Sequence, residues 1–116
     1  YYEVIAKWYQ EKFNWPTKKQ WLVKTPGVVA AIANAIRAFT NIGDAVLIQK
    51  PVYYPFFLTI EDNQRKVVNN SLVYKNGRYE MDFVDFEEKI ISHKVKLFVL
   101  CSPHNPVGRV WNKEEL

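Results

Sequence analysis

The segment Cys101-Ser102-Pro103-His104-Asn105-Pro106-Val107-Gly108-Arg109 holds the side chains of this chain best arranged for chemistry. It follows an apolar run, Lys96 to Leu100, and two prolines flank its asparagine, with a glycine two positions further on. Proline fixes φ and disfavours helix at its own position and the one before it. Asn105 is therefore expected on a stiff, extended loop at the end of a strand. Ligands of open α/β sheets sit just outside the carboxyl ends of the strands. A neutral side chain that both donates and accepts hydrogen bonds, fixed there, suits contact with a ligand and points to a cofactor enzyme.

Two further loops fit the same edge. In Thr25-Pro26-Gly27-Val28-Val29, Gly27 lets the backbone approach a ligand closely, and the amides of Val28 and Val29 open a helix. Free amides and the helix dipole together make an anion site suited to phosphate. Taken alone, the same residues read more simply as a plain turn with proline near the first helical position. No GxGxxG and no Walker lysine occur, which weakens dinucleotide and nucleoside-triphosphate readings. In Gln49-Lys50-Pro51-Val52-Tyr53-Tyr54-Pro55-Phe56-Phe57, aromatic residues between prolines make a platform on which a planar ring could stack. Without further context core packing is the simpler reading, and Phe56 and Phe57 are expected in the core.

The remaining reactive side chains read as structural. His104 is a lone histidine suited to a solvated or hydrogen-bonded role, and His93 sits late in a helix, where it favours the dipole. Cys101 ends an apolar strand as a small packed side chain, and as the single cysteine it excludes an internal disulfide. No second His, Cys or carboxylate stands at metal-ligand spacing, so no metal is expected. Glu87, Glu88, Glu114 and Glu115 look like solvated helix faces. Arg109 follows the asparagine loop and is read as structural.

Composition agrees with a globular α/β protein. Apolar residues make up 48% of the 116, and the net charge of +4 comes from scattered basic residues, with no run longer than a pair such as Lys18-Lys19. That pattern argues against nucleic acid or membrane as partner. No stretch approaches the ~18 apolar residues of a membrane span, no signal peptide opens the chain, and cytoplasm is the expected location.

The elements that must position these loops follow from periodicity. Tyr1, Val4, Ile5, Trp8, Tyr9 and Phe13 share one face of a first helix. Trp21-Leu22-Val23 is expected as a short strand leading into a second helix, Val28 to Thr40, with Ile32, Ala35, Ile36 and Phe39 on its apolar stripe and Gly43 near the cap. Strands are expected at Ala45 to Gln49, Lys66 to Asn69 and, buried, Val95 to Leu100, with helices at Phe56 to Asp62 and Phe83 to Ser92, the last capped by Asp82. Asn76-Gly77 marks a hairpin between Ser71–Lys75 and Tyr79–Met81. Strand and helix alternate as in a mostly parallel sheet with flanking helices. Asn112 and Glu115 form a capping box that opens a helix at the last residues, and with no initiator Met the chain reads as a fragment.

Three motifs in this order, TPGVV at Thr25 to Val29, GDAVLIQKPVYYPF at Gly43 to Phe56 and CSPHNPVGRVW at Cys101 to Trp111, resemble the class I/II aminotransferase superfamily, the fold-type I pyridoxal-phosphate enzymes. TPGVV, PVYYPF and Asn63-Gln64-Arg65 resemble its cystathionine β-lyase-like C–S lyase branch in particular. The resemblance implies that residues 1–116 are part of the large cofactor-binding domain, and that the cofactor is pyridoxal 5'-phosphate. Amides around Gly27, Val28 and Val29 would bind its phosphate, Tyr53 would stack on the ring, and Asn105 would meet the phenolic oxygen and lie near the substrate carboxylate. Pro106 and Gly108 would shape that loop, and Tyr54 is a further residue able to face the pocket.

The chemistry implied is mostly the cofactor's: it takes up the electrons left by the amino acid's α-proton, and a β-lyase then expels a sulfur leaving group to give thiol, pyruvate and ammonia. The family's Schiff-base lysine, pyridine-nitrogen aspartate and carboxylate-binding arginine normally lie beyond the point matching Leu116, so no catalytic residue is assigned here and the chain alone is expected to be inactive. A small amino-acid substrate and a homodimer are the implied partners, the aromatic first helix being one surface for that contact. An aminotransferase with the same cofactor, and a non-catalytic α/β binding module, are the competing readings.

Overall fold

A computed structural model describes residues 1–116, with the elements α1 (Tyr2–Phe13), α2 (Val28–Phe39), β1 (Ala45–Ile48), α3 (Pro55–Asp62), β2 (Lys66–Asn69), β3 (Val73–Lys75), β4 (Arg78–Glu80), α4 (Phe83–His93) and β5 (Leu97–Phe98). The main sheet has the order β2-β1-β5, and β1 pairs in parallel with both neighbours. Parallel pairing demands a crossover between strands, which α3 supplies between β1 and β2 and α4 supplies before β5. The α/β class expected from alternation is the class observed.

β1 is the centre of the molecule. All four of its residues are buried, as expected of a strand covered on both faces. Side chains alternate across a sheet. Val46 and Ile48 accordingly pack with Ile36, Val52, Phe56 and Ile60, while Ala45 and Leu47 pack with Val68 on the other side, against Phe86, Ile90 and Phe98. Fully burying one such side chain stabilises by about 1.5–3 kcal/mol. Phe56 is core as expected, and Phe57 packs partly buried against it.

Local chemistry explains the boundaries. Asp82 caps α4 by accepting the Asp85 amide at 3.1 Å. Asn76 and Gly77 both adopt positive φ, 50° and 81°, the requirement of a type I′ turn, and the β3–β4 hairpin forms around them. The Arg65 guanidinium donates to the Thr40 carbonyl at 2.7 Å and to its hydroxyl at 2.9 Å, tying the end of α2 to the turn before β2.

Several expectations are corrected. Trp21-Leu22-Val23 is not a strand: Lys19–Trp21 form one 3-10 turn, and the following residues pair with no sheet. Apolar content made them look like a strand, but a strand exists only where a neighbour accepts its ladder. The run Val95 to Leu100 is a half-buried edge strand reduced to Leu97–Phe98, although the Lys96 and Val99 amides also donate to β1 carbonyls. Gly43 does not cap α2, which ends at Phe39 with Thr40 extended; Gly43 instead takes φ 85° in the turn before β1. Phe39 lies exposed at the end of its stripe, and α1 buries none of its apolar residues.

Candidate functional site

The carboxyl ends of β1 and β5 are neighbours because the two strands pair directly. The loops leaving them, Gln49–Tyr54 and Val99–Asn105, therefore begin side by side. His104 joins them: its ring is 1% exposed, and Nε2 donates to the Pro51 carbonyl at 3.0 Å. The Lys50–Pro51, Ser102–Pro103 and Asn105–Pro106 peptide bonds are cis.

Asn105 sits on a closed turn, not on the extended loop expected from its prolines. The His104 amide donates to the Arg109 carbonyl at 2.6 Å and the Gly108 amide to the His104 carbonyl at 2.7 Å. Gly108 takes φ 73°, a conformation that suits glycine. The Cys101 sulfur accepts the Asn105 amide at 3.5 Å, and Trp111 Nε1 donates to the Cys101 carbonyl at 2.9 Å. Cys101 is thus the packed side chain expected. The Asn105 side chain is exposed and has no hydrogen-bond partner within the chain.

Arg109 is structural, as expected, and its partners explain why. Its guanidinium lies 4.5 Å over the Trp111 ring, donates to the Tyr79 carbonyl at 2.6 Å, and meets the Glu115 carboxylate at 2.7 Å. Glu115 is therefore not the solvated carboxylate expected: its side chain is only 16% exposed. Acceptance of the Asn112 amide, ahead of the Arg109 charge, holds its carboxyl below the ordinary value. Asn112 and Glu115 do form the reciprocal capping box, each side chain accepting the other's amide at 2.9 Å.

Tyr53 is propped at the mouth of the first loop. Val52 behind it is buried in the core, and the Phe56 ring stands edge-on to Tyr53 at 5.9 Å and 83°. That leaves Tyr53 40% exposed and Tyr54 61% exposed, a platform with free surface. The loop's root is fixed by the end of β2. The Lys50 amide donates to Asn69 Oδ1 at 2.9 Å, and Gln49 Nε2 donates to Asn70 Oδ1 at 2.9 Å. Asn70 in turn donates to Asp85, which Lys89 contacts at 2.8 Å. The Lys89 hydrogen bond, then that of Asn70, lowers the Asp85 pKa. Sequence reasoning missed this chain of Gln49, Asn70, Asp85 and Lys89, because its members lie far apart in the chain and carry no motif.

The Gly27 corner forms the N-terminus of α2. No side chain caps it and no acidic residue occupies its first turn. The first closing bond runs from the Ala31 amide to the Gly27 carbonyl, so the Val28, Val29 and Ala30 amides precede the helical ladder. Gly27 adopts φ 148° and ψ 172°, a region essentially reserved for glycine, and open space lies where a Cβ would project. The hollow at this corner is walled by Thr59, Asp62 and Asn63 of the α3 end. No hydrogen bond joins it to the Tyr53 and Asn105 loops. The structure thus unites two of the three predicted loops directly and leaves the third as a separate bare helix end.

His93 is exposed at the end of α4, as expected. No three His, Cys, Asp or Glu side chains group as metal ligands. No helix is long and apolar enough to cross a membrane.

A parallel sheet whose carboxyl edge carries an aromatic loop beside an asparagine turn defines an open α/β protein, a class in which ligands sit outside the strand ends. More particularly, the chain belongs to the aminotransferase class I and II family, whose model matches residues 2–116. It is 42% identical to cystathionine beta-lyase PatB of Bacillus subtilis over 98% of this chain and 30% of that protein. Cystalysin from Treponema denticola, a structure containing pyridoxal 5'-phosphate, superposes with a TM-score of 0.91 at 43% identity, covering 97% of this chain and 29% of that one. A pyridoxal-phosphate-bound putative aminotransferase from Clostridium difficile superposes at 0.92 with 46% identity, over 99% and 30%. The chain spans about 30% of the length of such relatives.

Proposed function

We infer that this chain is part of the cofactor-binding large domain of a pyridoxal-phosphate-dependent C–S β-lyase acting on sulfur-containing amino acids. The observation that carries this reading is the junction at the strand ends, where a propped, half-open aromatic ring and a free asparagine side chain are held on loops tied by His104 and Pro51. Relatives named as cystathionine beta-lyases and a structurally similar cystalysin support the lyase chemistry.

The residues present fit the group. Its phosphate is an anion, and the Val28 and Val29 amides at an uncapped helix start, opened by a glycine without a Cβ, are hydrogen-bond donors to such a group. Its ring is flat, and Tyr53 offers a free face. Its phenolic oxygen accepts hydrogen bonds, and the Asn105 amide donates them. When bound, pyridoxal phosphate supplies the electron sink for chemistry at the α-carbon of an amino acid. The chain's own part is to seat the anion, keep the ring plane fixed against Tyr53, and hold a neutral donor at the oxygen while leaving Asn105 near the substrate carboxylate.

An aminotransferase using the same contacts is the second reading, favoured by the similarity to the Clostridium difficile putative aminotransferase. The full-length protein tests both. Visible absorbance abolished by borohydride reports the cofactor, and its absence overturns the whole reading in favour of a non-catalytic module. Release of pyruvate and thiol from cystathionine identifies the lyase; exchange with a keto acid without thiol identifies the aminotransferase.

A further inference from the structure

We propose that His104 is a positioning residue that sets the relative placement of the Tyr53 and Asn105 loops through the hydrogen bond of its ring to Pro51. This rests on the reading of Tyr53 and Asn105 as cofactor contacts.

A carbonyl only accepts, so the 3.0 Å contact with Pro51 requires hydrogen on Nε2. In the neutral ring Nδ1 is then a bare acceptor, and that atom is buried without any partner. A buried polar atom left unpaired carries a cost, and a hydrocarbon ring of similar shape would avoid it. Packing alone does not explain a histidine here. The Trp111 ring meets it edge-on at 5.5 Å and 87°, an arrangement a phenyl ring could share. What only the histidine supplies is the Nε2 donor.

The place of that donor gives it leverage. His104 adjoins Asn105 in sequence, and its own amide and carbonyl close the asparagine turn. Pro51 lies two residues before Tyr53. No other side-chain hydrogen bond runs directly between the Gln49–Tyr54 segment and the Cys101–Gly108 segment. Burial holds the imidazole pKa below its ordinary value, and the facing carbonyls of Pro51 and Gln49 oppose this without prevailing, so the charged ring is disfavoured.

The test uses three variants in the full-length protein. His104→Phe keeps the ring and removes the donor. His104→Gln can place an amide N–H near the Nε2 position, whereas His104→Asn is too short to reach it. Apoprotein is titrated with pyridoxal phosphate by tryptophan fluorescence, and hydrogen exchange is followed at the Phe56 and Gly108 amides. His104→Phe and His104→Asn are expected to weaken cofactor binding about threefold to tenfold, the worth of one neutral hydrogen bond, and to speed exchange in both loops. His104→Gln is expected to restore both. Unchanged affinity and exchange in His104→Phe, or equal losses in all three variants, overturns the proposal. Should His104→Phe not fold, the contrast between Gln and Asn decides. If the unmodified protein binds no pyridoxal phosphate, the functional reading fails separately, and the exchange contrast alone upholds or overturns the tie between the loops.

Discussion

Trp111 Nε1 donates to the Cys101 carbonyl at 2.9 Å and so closes the base of the segment that carries Asn105. Trp111 is 3% exposed. Its ring also supports the His104 imidazole on one side and the Arg109 guanidinium on another. One aromatic side chain thus anchors the entry, the middle and the exit of the turn.

Replacing Trp111 with Phe keeps an aromatic ring but strips the Cys101 carbonyl of its donor and leaves part of the indole volume empty. Leaving a buried acceptor unpaired costs about 1–3 kcal/mol. Trp111→Phe is expected to lower the unfolding free energy by that amount, seen as a lower urea midpoint, and to weaken cofactor retention alongside it. Retention unchanged in a destabilised variant would show that the Asn105 turn does not depend on this anchor.

Asn105 is exposed, with little packing to lose. Asn105→Ala should therefore unfold like the parent while losing most turnover in the full-length protein. Equal turnover would remove Asn105 from the site. Tyr53→Leu should loosen the cofactor more than Tyr53→Phe, because only the aromatic ring retains a stacking face. Equal losses in dialysis against buffer would contradict stacking.

The acid side of the stability profile follows from His104 and from two carboxylates, Glu115 and Asp85, both held below their ordinary values. Burial lowers the folded-state pKa of His104 below 6.5, so beneath that pH the unfolded chain binds a proton that the folded chain refuses. Stability then rises with pH and begins to fall as pH drops past about 6.5. Glu115 is lowered from 4.5, chiefly by the Asn112 amide. Its contribution is present above that value and is lost as pH falls through the folded pKa. The urea midpoint should decline in two stages, and His104→Phe should remove the first while sparing the second. A midpoint that is flat from about pH 7 to about pH 5 would contradict the His104 assignment.

Local signals were the legible ones. Asn76-Gly77 announced the hairpin because a type I′ turn needs two residues tolerant of positive φ, and Asp82 announced α4 because its side chain caps the helix. The apolar run around Leu47 marked a strand, and only the sheet order makes it the central one. Trp21 to Val23 misled because a strand depends on a partner that composition does not reveal. The Asn105 turn was placed in the right position with the wrong shape: its prolines forbid helix, but the tight closure comes from the bond between the His104 amide and the Arg109 carbonyl. The tie from His104 to Pro51 spans 53 residues, and nothing in the spacing of either segment encodes it.

Gly27 gives the sharpest test of the anion corner. A methyl group there would meet no neighbour, so crowding within the chain is not the obstacle. The obstacle is the backbone: φ 148° with ψ 172° is open to glycine alone, and holding another residue there costs of order 1–3 kcal/mol. Gly27→Ala would either bear that strain or rotate the peptide that presents the Val28 amide. Either way the amides lose their aim. In the full-length protein the substitution is expected to weaken binding of pyridoxal phosphate far more than that of pyridoxal, which lacks the anionic group. Titrating both compounds separates the outcomes. An equal loss for the two would mean that the α2 N-terminus shapes the pocket generally without holding the phosphate.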